Sequence, residues 1–248
     1  MAKATQYPTL QDPPITEALV DIRVKLPETI DSRKIDSIHE SIKENYPQKQ
    51  EQRKSEFRFE PQADEQVKVS ENRIYGYRYI ASDQRQILQT QLDGFTFSRL
   101  TPYITWTKLR DEAHSLWSIY RNITSPELIT RVALRYINNL NIPMPIKDFG
   151  EFLTAPPIIP DALPQGISSF LTRVVIHKPE IGATAIITHV LESKVSDKAA
   201  IILDIDVFKH NPAGIDEHNI WEVLEELRHF KNHIFFESIT KTLRERYQ

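Results

Sequence analysis

The chain has 248 residues, 40% of them apolar and 26% charged, with 31 lysines and arginines against 34 aspartates and glutamates. A formal charge of −3 gives no overall pull toward nucleic acid or anionic membrane, and a chain without cysteine has no disulfide, no thiolate-ligated zinc and no cysteine nucleophile. The composition predicts a globular protein of a reducing cytoplasm; no 18 apolar residues run together as a membrane span, and the polar start lacks the apolar core of a signal peptide.

Residues 1–12 read as a loose polar lead, after which Pro13 and Pro14 fix an extended approach to a first strand. In that strand Ala18, Val20, Ile22, Val24 and Leu26 alternate with Leu19, Asp21, Arg23 and Lys25, so one face is buried and the other mostly polar. Pro27 ends it. Asp31 or Ser32 can cap a helix with Ile35, Ile38, Ile42 and Tyr46 on one side, stopped by Pro47. From Glu56 a period of two returns at Phe57 and Phe59, Val67 and Val69, Arg73–Ile80 and Ile87–Phe97, with turns at Pro61, Asp64, Ser82–Asp83 and Asp93–Gly94; three or four antiparallel strands are expected. A helix follows with Trp106, Leu109, Ala113, Leu116, Trp117 and Tyr120 forming a wide apolar stripe made to lie on a sheet.

After Ser125–Pro126 comes a strand over Ile129–Leu140, with Val132, Leu134 and Tyr136 on one face and Arg131, Ala133, Arg135 and Ile137 on the other. A short helix is expected around Ile146, Phe149, Phe152 and Leu153, and the four prolines of 155–164 impose a rigid loop. Strands resume at Phe170–His177, Ala183–Leu191 and Ala200–Phe208. Asn219 with Glu222 suggests a capping box before a helix bearing Ile220, Trp221, Val223, Leu227, Phe230 and Ile234. A basic amphipathic helix over 238–247 closes the chain.

One pattern recurs at constant spacing. Ile87, Leu88, Leu92, Trp106, Leu109, His114 and Tyr120 return as Ile202, Leu203, Val207, Trp221, Leu224, His229 and Phe235, each 115 positions on (221 − 106 = 115). The chain therefore reads as α+β and as two tandem units, 1–125 and 126–248, each of strand, helix, three or four strands and helix, sharing an antiparallel sheet with its helices on one face. This helix-grip order resembles the duplicated fold of the TATA-binding protein.

Three words of the sequence carry a second likeness: Pro13-Pro14-Ile15-Thr16-Glu17-Ala18, Leu134-Arg135-Tyr136-Ile137-Asn138, and Trp221, Leu224, Leu227 and Arg228 at their spacing near the end. In them the chain resembles a sporadically distributed bacterial family of similar length. The resemblance implies no activity. Patchy distribution of this kind accompanies horizontally transferred cargo such as defence or CRISPR-associated systems, so an antiviral-defence setting is the corresponding expectation.

The chemistry-bearing candidates are few. Asp204 and Asp206 leave the same sheet face and could offer oxygens to magnesium, but Gln89 and Gln91 at the matching positions of the first unit are poor ligands, so a solvated polar face is expected and no metal or other cofactor. His114 and His229 match across the repeat without an acid or serine at a useful spacing, and no phosphate-binding loop occurs, so no catalytic residues are expected and the protein reads as a non-enzyme. If Val20, Ile22, Val132, Leu134, Leu203 and Ile205 face the helices, then Asp21, Arg23, Gln89, Gln91, Arg131, Arg135, Asp204 and Asp206 share the open side. The mixed signs there suit a protein partner, held by Arg23, Gln89, Gln91, Arg131, Arg135, Asp204 and Asp206, and exposed charges of this kind are expected to add little to stability. The alternative is nucleic acid, with Tyr75, Tyr77 and Tyr79 beside Arg73 as a stacking platform and Arg131 and Arg135 on phosphate; the tyrosines serve equally as packing beneath a helix. A metal-dependent hydrolase using the two aspartates is the least supported reading, and the sequence leaves the oligomeric state open.

Overall fold

The structure, a computed structural model, describes residues 7–54, 73–191 and 198–248. The expected strands at Phe57–Phe59 and Val67–Val69 lie outside the described residues. What is described forms one antiparallel sheet of nine strands in the order β2-β3-β4-β5-β1-β6-β9-β8-β7, roughly 38 Å from edge to edge at the usual strand spacing.

The centre of the sheet is β1 (Ile15–Lys25) against β6 (Leu128–Pro143). Their alternating patterns put Ala18, Val20, Ile22, Val132, Leu134 and Tyr136 on one face, all of them buried. On the β1 side the sheet continues through β5 (Gly94–Leu100), β4 (Gln86–Gln91), β3 (Arg73–Ile80) and the edge strand β2 (Gln48–Lys54). On the β6 side it continues through β9 (Lys198–His210), β8 (Ala183–Leu191) and the edge strand β7 (Phe170–Lys178). The strand β2 was not anticipated, because Gln-Lys-Gln-Glu-Gln-Arg-Lys has no apolar alternation: it is an edge strand with little to bury.

The helices all lie on the face defined by those buried residues. The α3 helix (Trp106–Thr124) packs on β1 and β5, and α4 (Ile220–Ser238) on β6 and β9. The two touch side by side: Trp106 and Arg110 of α3 both donate to Glu225 of α4, and His114 meets Trp221 edge to face at 4.7 Å between ring centres. The expected first helix forms as two short pieces, α1 (Ser32–Asp36) and α2 (Ile38–Ile42), with Asp31 accepting the amide of Lys34 as its cap. They cover β3 and contact α3.

Several local expectations are corrected. The helix around Ile146–Leu153 is a single 3₁₀ turn, Phe149–Glu151, since Pro143, Pro145 and the proline-rich 155–164 leave too few residues between them for a helix. Asn219 makes no side-chain cap; Asp216 instead caps a 3₁₀ turn that leads into α4. Trp221 is only half-buried, packed against α3 and away from the sheet, unlike Trp106 and Trp117. The basic C-terminal helix shortens to α5 (Lys241–Arg244) and a 3₁₀ turn, and is held by burial of Leu243 and Tyr247. The lead is partly tied down: Tyr7 stacks on Phe236 at 4.6 Å, and the Tyr247 carbonyl accepts the amides of Gln11 and Asp12.

The 115-residue offset carries α3 onto α4 but slips among the strands. It equates Ile87 and Leu88 of β4 with Ile202 and Leu203 of β9, whereas β5, not β4, holds the place beside β1 that β9 holds beside β6. The turn at Leu92–Asp93 makes two short strands, β4 and β5, where the later stretch runs as one long strand, β9, and the offset cannot register that difference.

Candidate functional site

The face opposite the helices is where the sequence-predicted residues gather. Alternation along β1, β6 and β9 sends Asp21, Arg23, Arg131, Arg135, Asp204 and Asp206 to that side, and β4 adds Gln89 and Gln91. They form a cross-strand ladder with its charges already matched. The Asp21 carboxylate, almost fully buried, accepts from Arg131 at 2.7 Å, from both Nε and Nη of Arg23, and from the Thr96 hydroxyl at 2.8 Å. Arg131 then reaches across to both oxygens of Asp206 at 2.9 and 3.1 Å, with its guanidinium 4.4 Å over the Phe208 ring. Arg135 makes a fork-to-fork pair with Asp204 at 2.8 and 2.5 Å.

The ladder continues into the first half of the sheet through neutral groups. Arg23 donates to Gln91 and to Asp93, Gln91 donates to Gln52 at 2.9 Å, and Gln52 donates to Gln89 at 2.6 Å. Gln52, Asp93 and Thr96 are participants that sequence reasoning missed, since β2 has no strand signal and threonine or aspartate beside a turn has an ordinary local use.

This pairing corrects the view of the face as solvated charge. Burial outweighs the two nearby arginines and holds the Asp206 carboxyl above its ordinary range, while the bond to Asp204 holds Arg135 more firmly protonated. Asp204 and Asp206 have arginine guanidiniums on the oxygens a cation would need. Among the described residues no cluster of three histidines or carboxylates has metal-binding geometry.

Next to the ladder, toward β7, the same face turns apolar. Leu171 of β7, Val190 of β8 and Ile202 of β9 stand in one row across the strands, and Val175 and Ile186 stand in another. Leu171 and Val175 are exposed and the other three half-buried, with none of the described helices over them.

The tyrosine row lies on the opposite side, under α1. Tyr77 and Tyr79 are buried, Tyr79 stacks on His39 at 5.3 Å, and Lys49 sits 4.9 Å over the Tyr77 ring. Burial raises the pKa of all three tyrosines of the row above the ordinary phenol value. Two of the three rings are thus closed to a base, and they do not share a face with Arg131 and Arg135. His114 and His229 are both exposed on their helices, and His114 packs edge to face against Trp221.

Two features of the helix side carry chemistry that the sequence did not announce. A cavity of about 380 Å³ opens at the N-terminal end of α3, between Phe97, Arg99, Tyr103, Lys108 and Leu109; Arg99 there is paired with Asp83, and Glu112 accepts the Tyr46 hydroxyl. Deeper in, Lys231 of α4 is 8% exposed with its amine 3.8 Å over the Tyr136 ring and no carboxylate partner among the described residues, and burial, with Arg228 nearby, pulls its pKa down to about 7. Tyr136 shares a 2.9 Å hydroxyl contact with Tyr103. A lysine on an apolar stripe was the available signal.

No protein-family model matches the chain, and no curated protein is similar to it. Among the described residues no helix is long and apolar enough to cross a membrane.

Proposed function

We propose that the protein is a non-catalytic interaction or regulatory module, of the kind found in bacterial defence systems, that holds a protein partner on the open face of its sheet. The observation that carries this reading is the combination on that face of a self-neutralised charge ladder with an uncovered apolar strip, Leu171, Val175, Ile186, Val190 and Ile202. An apolar strip rimmed by fixed polar groups suits a protein surface. A phosphate backbone needs uncompensated cations, and every arginine of the ladder is matched by a carboxylate, so nucleic acid is the weaker reading. Hydrolysis at Asp204 and Asp206 is weaker still, because arginines occupy their oxygens. The sheet order supports the tandem helix-grip reading: each half places its first strand at the centre and its helix-preceding strand next to it. The three sequence words tie the reading to the sporadic bacterial family.

The test is affinity capture from the native host with mass spectrometry, run in parallel with Val190→Glu combined with Ile202→Lys. These residues are directly opposite each other, so the opposite-charge pair keeps the sheet stable while removing the apolar strip. A partner captured by the unmodified protein and lost with the double variant is the expected result. Equal capture by a folded double variant refutes the reading, and so does steeply salt-dependent binding of nucleic acid in place of protein.

A further inference from the structure

The two edges of the sheet are finished differently. Exposed edges invite pairing with another chain, and proteins blunt them with charges, prolines, bulges or shortness. The β2 edge follows that rule: it carries Lys49, Glu51, Arg53 and Lys54 within seven residues and a register shift at Gln52–Arg53. The β7 edge carries fewer of these protections, with charge only at Arg173 and Lys178. It runs nine residues in unbroken register with β8, has no proline, and exposes Leu171, Val174 and Val175 at 67%, 53% and 51%.

We propose that β7 accepts an extended segment of a partner protein as a tenth strand, a segment mainly of apolar residues with acidic ones spaced four apart on one side. Leu171 and Val175 also belong to the open-face strip, but strand addition uses the backbone of the β7 edge, so the inference stands without that reading. The backbone supplies affinity through the N–H and C=O groups of the outer side, which have no partner among the described residues, and the side chains supply selectivity. On the open-face side of β7 the order is Leu171, Arg173, Val175, His177. Arg173 and His177 are exposed, four residues apart, and Arg173 has no ion-pair partner among the described residues. On the helix side stand Phe170, Val174 and Ile176, with Lys178 at the end over the Phe230 ring. The strand thus offers three basic residues and no acid. A second copy of the chain is a poor occupant, because antiparallel self-pairing about Val174 brings the two Arg173 side chains to diagonal positions roughly 7–8 Å apart with nothing to neutralise them. An acidic strand neutralises Arg173 and offers a hydrogen-bond acceptor to the exposed His177 ring.

The probe is a fluorescein-labelled nine-residue peptide of valine and threonine carrying two glutamates four residues apart, with a lysine version as control. Fluorescence anisotropy is expected to show saturable binding of the glutamate peptide tighter than about 1 mM, the weak end of specific recognition. Backbone amide exchange should show new protection confined to β7. Arg173→Glu with His177→Glu should weaken binding at least tenfold and reverse the preference toward the lysine peptide; should that variant fail to fold, the neutral pair Arg173→Gln with His177→Gln is read for the same loss. No saturable binding, equal binding of the two peptides, or protection away from β7 overturns the proposal. A concentration-dependent dimer in sedimentation that Val175→Lys abolishes overturns it too, by assigning the edge to a second copy.

Discussion

Replacing Lys231 by methionine should stabilise the protein, and the gain should vanish as the pH rises. The amine sits on the buried face of α4 against the Tyr136 ring without a carboxylate among the described residues, and its pKa falls from an ordinary 10.5 to about 7 because burial penalises the charged form, with Arg228 adding repulsion. The unfolded chain therefore binds a proton that the folded chain gives up between pH 7 and 10.5, so stability rises with pH across that window and is lowest below pH 7. At about 1.4 kcal/mol per pH unit the full penalty is about 5 kcal/mol. The contact with the aromatic ring returns about 1–2 kcal/mol. Methionine fills the same volume with no charge, so Lys231→Met should raise unfolding free energy by about 3 kcal/mol at pH 6 and by nothing near pH 10. The measurement is urea unfolding of both proteins at pH 6, 7, 8, 9 and 10, where other titrating groups, including the tyrosines, cancel in the difference. A pH-independent difference, or a destabilised variant at pH 6, refutes the argument.

The ladder makes two arginines unequal. Arg131 lies between nearly buried Asp21 and Asp206, so Arg131→Glu should cost about 3 kcal/mol in a denaturant melt; Arg135 is more exposed and pairs with Asp204 alone, so Arg135→Glu should cost about 1 kcal/mol or less. The reverse order would mean that the ladder is not the structural element described. Separating the chain at residue 125 divides β1 from β6, whose pairing runs from Ile15 to Lys25, and exposes two long apolar-faced edges. Fragments 1–125 and 126–248 should aggregate when expressed alone, and two soluble, cooperatively melting fragments would show independent domains.

Much of the sheet was legible because strand period and burial are local properties. Val20, Ile22, Val132, Leu134, Leu203 and Ile205 were assigned to the helix side by alternation alone, and all are fully buried. The helix stripe through Trp106 and Tyr120 and the turn at Asp93–Gly94 follow from the same periodicity. The misses share one cause, since each depends on what lies across from a residue. Strand β2 exists because β3 offers it a pairing partner, the tyrosine row is closed because α1 folds over it, and Trp221 faces α3 rather than the sheet. The sequence by itself determined which residues share the open face, because alternation along a strand sends every second side chain to the same side. Only the tertiary structure decided that those charges neutralise one another: Arg131 meets Asp21 and Asp206 through register between strands 110 and 75 residues away, and pairing at that separation is set by the packed sheet, not by any local pattern.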